Sequence, residues 1–409
     1  MAYIKRHMED QVLELSKTWP ALLITGPRQA GKTTMLKNLS QREGIGRGYV
    51  SLDDLNLREL AKSDPKMFLQ LHKPPVLIDE VQYAPELFTY IKILVDEHHD
   101  PGAFWLTGSQ IFRLMQDVQE SLAGRVALLH MSPLSQREIT GAECAPFKTD
   151  FDMLAEQSKK LQPVAVPELF MRMWNGCMPG LVSNDFSGRD IFYSSYLSTY
   201  MERDVRDLSG TVDALKFVRF ITAVAARTSQ LVNYKNIADD ADIDQVTCKN
   251  WMNILETLGI IFLLHPYSNN VLKRTIKTPK VYFYDTGLVC YLTRWSSPEV
   301  VESGAMSGAL LENFTVSEIM KSYQNAGLEP YIHYYRDRDA KEIDVILEGD
   351  GKLCPLEIKK TAMPDKRLVR SFNVIDKSPL RIGTSGILCM ADKLSAFDRD
   401  NLIVPIWMI

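Results

Sequence analysis

Residues 26–33 have the sequence Gly-Pro-Arg-Gln-Ala-Gly-Lys-Thr, which is the spacing G-x-x-x-x-G-K-[ST]. The apolar run at 21–25 suits a β-strand, and the run at 34–39 suits a helix, so the pattern lies between a predicted strand and a predicted helix. Two glycines let the backbone curl until successive N–H groups point inward at phosphate oxygens. The N-terminus of the helix adds its dipole. This feature predicts a phosphate-binding loop at the edge of an α/β sheet.

The side chains of the loop suit a nucleoside triphosphate. Lys32 would supply a point charge to the β and γ phosphates, and the Thr33 hydroxyl would bind Mg²⁺. The nucleotide is expected to contact nine consecutive residues: Gly26, Pro27, Arg28, Gln29, Ala30, Gly31, Lys32, Thr33 and Thr34. The alternative is a glycine turn before a surface lysine, which the flanking strand and helix disfavour.

A second apolar run ends in two carboxylates. Residues 75–80 have the sequence Pro-Val-Leu-Ile-Asp-Glu, and a continuous apolar run is typical of a parallel strand covered on both faces. Asp79 and Glu80 would then lie at the C-terminal end of that strand, where open α/β sheets bind their ligands. We expect Asp79 to hold Mg²⁺ and Glu80 to polarise the water that attacks the γ-phosphate.

Bulk properties restrict the class of protein. A chain of 409 residues is too long for one core, so two or three domains are expected. A net charge of −4 argues against a protein that coats nucleic acid, although it permits local basic patches. The six cysteines are scattered without a C-x-x-C pair, which predicts free thiols in a reducing cytoplasm. No secretory signal and no membrane-spanning run is expected.

Strand and helix patterns alternate over the first 140 residues. This alternation predicts a doubly wound, mostly parallel sheet. The predicted strands are 21–25, 49–53, 76–79, 103–107 and 126–131, and the predicted helices are 3–17, 32–42, 54–62, 65–72, 86–98 and 110–121.

Two further positions in this region are candidates for catalysis. Ser109 and Gln110 follow an apolar run at 104–107, so either side chain would sense the γ-phosphate if that strand lies beside the loop; the alternative is a turn and helix cap. Arg125 is a candidate arginine finger that reaches the nucleotide of a neighbouring subunit. The alternative for Arg125 is a structural pair with an acid.

The middle of the chain is predicted to be mainly helical. Residues 140–165 are polar and suggest a hinge or an exposed insertion, and 166–208 are helical, with Arg203 and Arg206 as further candidates for contact near the nucleotide. Three helices and a two-stranded ribbon over 213–285 outline a winged helix with a basic tip at 272–277. Acidic residues precede its third helix, so docking of protein competes with binding of DNA as an interpretation.

The C-terminal region carries a second set of polar residues. A helix at 309–323 contains Glu312, and two predicted strands follow at 332–336 and 342–348, the second of which contains Asp344. Glu357 and Lys359 lie two residues apart on a third strand and therefore share a face. The three carboxylates can offer oxygen ligands to Mg²⁺, with Lys359 beside an attacking water. The alternative is a β-hairpin with paired surface charges.

Together these features resemble a family of bacterial and archaeal AAA-type P-loop ATPases with a C-terminal DUF4143 domain. The motifs that carry the resemblance lie at 26–34, 76–82, 106–109, 122–125, 133–138, 200–205, 281–288, 308–314 and 342–359. The resemblance implies an additional-strand ATPase core at 1–140, a helical connector at 141–212, a winged-helix domain at 213–300 and a DUF4143 domain of the PD-(D/E)XK nuclease-like kind at 301–409.

The expected activity is hydrolysis of ATP with Mg²⁺ in a homo-oligomer, coupled to DNA processing by the C-terminal domains. The alternative is a nucleotide-gated switch or scaffold that binds a protein partner through a catalytically dead nuclease-like domain. DUF4143 domains are often treated as degenerate nucleases, yet this chain keeps the four polar positions Glu312, Asp344, Glu357 and Lys359.

Overall fold

The computed structural model describes residues 3–108, 122–183, 188–201, 213–268, 278–337, 339, 341–375 and 378–409. The predicted helix at 110–121, the candidates Ser109, Gln110, Arg203 and Arg206, and the basic tip at 272–277 lie outside these residues. The chain divides into two compact units. The N-terminal unit comprises Met1–Leu134, Thr257–Gly259 and Gln324–Gly327, and the C-terminal unit comprises Ser135–Glu256, Ile260–Tyr323 and Leu328–Ile409.

A parallel sheet forms the centre of the N-terminal unit. Its strands are β1 (Ala21–Thr25), β2 (Gly48–Ser51), β3 (Val76–Asp79), β4 (Phe104–Gly108) and β5 (Val126–His130). The described strands pair in parallel in the order β2-β3-β4-β1-β5, so β4 lies between the strand before the loop and the strand that ends in Asp79.

Helices cover both faces of this sheet. They are α1 (Met8–Leu15), α2 (Lys32–Glu43), α3 (Leu55–Ser63), α4 (Pro65–Leu71) and α5 (Leu87–His98). Alternate residues of a strand point to opposite faces. On β1, Leu22 belongs to the same buried apolar cluster as Leu36 of α2, whereas Leu23 belongs to the cluster that includes Ile91 of α5. The predicted doubly wound α/β fold is therefore confirmed.

Helices dominate the chain after residue 134. They are α6 (Gln136–Thr140), α7 (Phe151–Lys160), α8 (Val166–Asn175), α9 (Pro179–Val182), α10 (Arg189–Ser195), a π-helical stretch (Tyr196–Met201), α11 (Ala214–Ala225), α12 (Tyr234–Ala241), α13 (Gln245–Thr257), α14 (Thr286–Leu292), α15 (Pro298–Ser303) and α16 (Ser307–Asn325). An antiparallel ribbon, β6 (Ile261–Leu264) with β7 (Lys280–Phe283), follows α13. Three helices and a ribbon thus occur in the predicted order.

Helix α7 lies within the segment 140–165, for which the sequence predicts a hinge or an exposed insertion, and that interpretation stays a prediction. The Asp150 side chain accepts a hydrogen bond from the backbone N–H of Met153 at 2.8 Å and caps the helix. Leu154 is buried at 1% exposure and anchors the helix. Leu154 is the one residue that this ten-residue helix buries, so the sequence gives no periodic apolar signal that would reveal the helix.

A mixed sheet ends the chain. Its strands are β8 (Ile332–Arg336), β9 (Glu342–Gly349), β10 (Lys352–Lys359), β11 (Arg381–Ile382), β12 (Ser385–Cys389), β13 (Ser395–Asp398) and β14 (Asn401–Pro405). The order is β13-β14-β12-β10-β9-β8, with β11 also paired to β10. The strands β8 to β10 were predicted. The strands after residue 380 were not assigned, because they are short and are stabilised by pairing within this sheet: β11 and β12 pair with β10, β14 with β12, and β13 with β14.

Candidate functional sites

The loop between β1 and α2 has a backbone that glycine makes possible. Gly26 has φ of 138° and Gly31 has φ of 94°. A Cβ on Gly26 would lie 2.1 Å from the carbonyl oxygen of Met131, just beyond β5, so no other residue fits there. The loop therefore curls tightly against the end of a neighbouring strand, as the sequence predicted.

Lys32 lies across this loop. Its Nζ donates to the carbonyl oxygens of Gly26 at 2.8 Å and Pro27 at 2.9 Å, and the residue is 5% exposed. The ammonium group thus lies within the curl of the loop. Burial, and after it the positive charge of Lys32, lower the pKa of the nearby His130 to about 4. That imidazole is therefore neutral at pH 7.

Asp79 joins the loop to the centre of the sheet. Its Oδ1 accepts a hydrogen bond from Thr33 Oγ1 at 2.8 Å and another from Thr107 Oγ1, and its Oδ2 accepts one from Tyr49 at 3.1 Å. The residue is 5% exposed. The hydroxyl and the carboxylate that were both predicted to bind Mg²⁺ are therefore in direct contact, although 46 residues separate them.

Glu80 is held by its backbone and by its side chain. It has φ of 58°, its N–H donates to Thr107 Oγ1 at 3.1 Å, and its Oε2 accepts a hydrogen bond from Gln82 Nε2. Sequence analysis missed Thr107, having favoured Ser109 and Gln110 instead. Thr107 was visible as the polar residue within the apolar run that forms β4. Its hydroxyl is the group of β4 that contacts both Asp79 and Glu80.

Arg125 forms a bidentate salt bridge with an acidic residue of its own chain. Its Nε lies 2.5 Å and its Nη2 3.0 Å from the carboxylate oxygens of Asp96, which is on α5. The hydrogen bond from Arg125 lowers the pKa of Asp96. Both side chains are partly exposed, at 35% and 41%. This is the structural pair that the sequence left open beside the finger role, and the finger role stays a prediction.

A cluster of carboxylates and a lysine forms on β9 and β10. Lys359 Nζ lies 2.5 Å from Glu357 Oε2 and 3.2 Å from Asp344 Oδ2. Asp344 Oδ2 also accepts a hydrogen bond from the backbone N–H of Ile358 at 2.8 Å. Burial, and after it the negative charge of Asp344, raise the pKa of Glu357 to about 8. The predicted shared face of Glu357 and Lys359 is thus present.

Glu312 has its own partners. Its Oε1 accepts hydrogen bonds from Tyr282 at 2.7 Å and from Lys280 at 2.9 Å, and Lys280 also lies 2.5 Å from Glu342. Burial raises the pKa of Glu312 to about 7, with Asp344 as the next cause. Sequence analysis missed Lys280 and Tyr282. The available signal was that Lys280 and Tyr282, whose side chains end in polar groups, lie two residues apart on the apolar strand β7 and therefore share a face.

The fit of a metal to this cluster is limited by these contacts. Within the part of the chain that the structure describes, no group of three or more His, Cys, Asp or Glu side chains is arranged to hold a metal ion. Lys359 occupies the space between Asp344 and Glu357, and Lys280 neutralises Glu312. The metal role predicted for Glu312, Asp344, Glu357 and Lys359 therefore stays a prediction.

None of the helices in the described ranges combines the length and apolar character that crossing a membrane requires.

Comparisons with known proteins cover most of the chain. Residues 18–140 match the family model of an AAA domain. Residues 166–299 match a domain of unknown function, DUF8612, and residues 307–409 match a domain of unknown function, DUF4143. The DUF8612 match includes parts of both the predicted connector and the predicted winged-helix domain.

Curated relatives are similar over most of their length. The uncharacterized protein Rv2008c of Mycobacterium tuberculosis is 29% identical over 86% of this chain and 73% of its own. The uncharacterized protein MJ1637 of Methanocaldococcus jannaschii is 22% identical over 76% of this chain and 68% of its own.

Among solved structures, the Walker-type ATPase PABY2304 of Pyrococcus abyssi aligns with a TM-score of 0.43 at 16% identity, over 71% of this chain and 96% of that one. AMPPCP-bound DnaA of Aquifex aeolicus aligns with a TM-score of 0.30 at 15% identity, over 61% of this chain and 85% of that one. The matched family models and the parallel sheet with its glycine loop agree: this chain contains an AAA domain of the P-loop type at 18–140 and a C-terminal DUF4143 domain at 307–409.

Proposed function

We propose that the N-terminal unit binds ATP with Mg²⁺ at residues 26–34 and hydrolyses it. The observation that carries this proposal is the 2.8 Å contact between Thr33 Oγ1 and Asp79 Oδ1. A hydroxyl after the loop lysine and a carboxylate at the end of an inner strand are the two protein ligands that P-loop proteins offer to Mg²⁺. When bound, Mg²⁺ would neutralise charge on the phosphate oxygens.

Each side chain of this site has a separate task in the proposed reaction. Lys32 and the backbone N–H groups of the loop bind phosphate oxygens. Glu80 polarises the attacking water, and the side chain of Gln82 donates a hydrogen bond that holds the Glu80 carboxylate in place. Thr107 fixes the relative position of Asp79 and Glu80, because its hydroxyl contacts both.

The test separates binding from turnover. Lys32→Ala should abolish binding of ATP, because it removes the charge in the loop. Glu80→Gln should keep ATP bound and slow hydrolysis, because it removes the base and leaves the phosphate contacts intact. Binding is measured by calorimetry and turnover by release of phosphate.

Lys37→Ala serves as the control for the lysine, since Lys37 is also on α2 but lies over the Tyr49 ring at 3.6 Å. Wild-type affinity in Lys32→Ala would show that the site is misassigned. Wild-type turnover in Glu80→Gln would refute the role of Glu80.

We further propose that the nucleotide state drives DNA processing by the domains after residue 212. What supports this proposal is that Asp344 of β9 and Glu357 and Lys359 of the neighbouring strand β10 converge in one cluster. The proposed division into domains at 1–140, 141–212, 213–300 and 301–409 would give the ATPase unit separate modules to move.

The second candidate is a nucleotide-gated switch that binds a protein partner. The observation that favours it is the ion pairing of Lys359 with the carboxylates of both Asp344 and Glu357. The charge of these two acids is already compensated by the lysine, so no metal ion is needed to compensate it. Asp240 and Asp242, which precede the third helix α13, also form ion pairs with Arg227 and Lys216. Because these two cations are engaged by acids, this part of the middle region is a poor surface for phosphates.

Measurements of DNA cleavage and of metal binding distinguish DNA processing from the protein-binding switch. ATP turnover should be measured with and without duplex, single-stranded and branched DNA, and cleavage of each DNA with Mg²⁺ or Mn²⁺ present. Asp344→Ala is the test variant and the exposed Asp392→Ala its control. Cleavage lost only in Asp344→Ala supports DNA processing. Metal binding without any cleavage favours the switch, and no metal binding refutes the nuclease interpretation.

A further inference from the structure

A buried arginine near the start of the chain contacts the phosphate-binding loop. Arg6 is 3% exposed, its Nη1 donates to the carbonyl oxygen of Ala30 at 2.6 Å, and its Nη2 donates to the carbonyl oxygen of Ser132 at 2.7 Å. Burying a guanidinium is costly unless its donors are well paired. The arginine therefore ties the middle of the loop to the chain just beyond β5.

A buried carboxylate holds the segment that carries this arginine. Glu9 is fully buried and accepts hydrogen bonds from the backbone N–H of Arg6 at 2.9 Å, from Tyr3 at 2.6 Å and from Arg42 at 2.5 Å. Arg42 is on α2, the helix that follows the loop. The segment is thus anchored both to the loop and to the helix behind it.

The contact with Ala30 fixes the orientation of one peptide group. In a trans peptide the C=O of one residue and the N–H of the next point in opposite directions. Arg6 holds the Ala30 oxygen, so the N–H of Gly31 is directed away from Arg6. Gly31, with φ of 94°, has no Cβ to resist rotation of this peptide, so an external anchor is needed to hold it.

The second contact fixes the other end of the loop. Ser132 directly follows Met131, whose carbonyl oxygen packs against Gly26. One guanidinium therefore links the peptide before Gly31 to the strand end that supports Gly26. A lysine ammonium is a compact charge without the planar fork of a guanidinium and would hold such a pair of carbonyls less well.

We propose that Arg6 is a positioning residue that sets the inward orientation of the loop N–H groups and thereby the affinity of the site for the phosphate chain. This inference rests on the proposed ATP site. Arg6 itself contacts no phosphate in this scheme. It acts through Ala30, and its loss should weaken binding of ATP and of inorganic tripolyphosphate by the same factor, since the adenosine part is untouched.

The experiment compares Arg6→Ala with Arg47→Ala by calorimetric titration of ATP and of tripolyphosphate. Arg47 is also buried, at 8% exposure, and donates to the carbonyl oxygen of Gly102 at 2.6 Å, so it matches Arg6 in type but lies away from the loop. Arg6→Ala should weaken both ligands about 10- to 100-fold, the effect of one hydrogen bond to a charged group. Arg47→Ala should stay within about 2-fold of wild type at a similar loss of thermal stability, and Arg6→Lys should fall between.

Arg6→Ala with wild-type affinity overturns the inference, and so does an equal loss in Arg47→Ala. If Arg6→Ala does not fold, Arg6→Lys decides, and wild-type affinity in that variant overturns the inference as well. If the wild-type protein binds no ATP, the proposed function fails. If the wild type binds ATP and Lys32→Ala does not, the proposed ATP site stands. Wild-type affinity in the Arg6 variants would then overturn only the positioning role of Arg6.

Discussion

At the scale of single residues, Asp79 is the point where the loop and the inner strands meet. Its carboxylate accepts hydrogen bonds from Thr33, Tyr49 and Thr107. Thr107 also accepts from the backbone of Glu80 at 3.1 Å, so one hydroxyl sets the spacing of two acids with different tasks. Hydrogen bonds to a charged group contribute about 1.5–3 kcal/mol each.

Replacing Thr107 by valine keeps its volume and removes this hydroxyl. Turnover of Thr107→Val should fall about 10- to 100-fold, with affinity for ATP nearly unchanged, because the variant loses the position of Glu80 and keeps the phosphate contacts. Thr25→Val is the matched control, since Thr25 is equally buried in β1 but its hydroxyl donates to the Leu129 carbonyl at 3.2 Å. Steady-state kinetics would contradict the assignment if both variants lost the same activity.

At the scale of elements, β10 carries a glutamate that burial and Asp344 make hard to ionise. The pKa of Glu357 is raised from 4.5 to about 8. Between these two values the folded protein holds a proton that the unfolded chain has released. Stability therefore falls as the pH rises through this window, and the loss is complete above the folded pKa.

Glu357→Gln removes the group that titrates. The thermal midpoint of the wild type should drop more steeply between about pH 5 and about pH 8 than that of Glu357→Gln. Glu329→Gln, at an exposed position, should keep the wild-type profile. Calorimetry across this range makes the comparison, and identical slopes in all three proteins would show that the charge of Glu357 is not coupled to folding.

At the scale of the whole molecule, we propose that the protein acts as a homo-oligomer in which Arg125 reaches the nucleotide of a neighbouring subunit. The finger role would require Arg125 to leave Asp96. That exchange costs little, because both side chains are partly exposed and water screens their charges. Arg203 and Arg206 are the next candidates if Arg125 fails.

Two variants separate the finger from the structural pair. Arg125→Ala should lower turnover by about 10³- to 10⁵-fold with little change in affinity for ATP, whereas Asp96→Asn should leave turnover close to wild type. Mixing Arg125→Ala with Lys32→Ala subunits should restore part of the activity, because each lacks a different half of a shared site. A monomer with full turnover in Arg125→Ala would disprove this arrangement.

Much of the candidate ATP site could be predicted from local sequence. The residues from Gly26 to Thr34 lie together in the chain, and their backbone conformation follows from glycine and from the flanking strand and helix. The sequence also predicted the four polar residues of the C-terminal cluster, which are Glu312, Asp344, Glu357 and Lys359. Their partners Lys280 and Tyr282 were not predicted, because they come from a strand that the local pattern assigned to another part of the fold.

The sequence by itself determined the alternation of strands and helices from which the sheet is built, the curl of the loop and the two acids at 79 and 80, since each depends on neighbours along the chain. Only the tertiary structure decided that Thr107 of β4 contacts Asp79. It also decided that Arg6 reaches Ala30 and that Lys359 is held between two carboxylates. Such contacts join residues distant in sequence, and their pairing depends on strand order and burial, which no local pattern encodes.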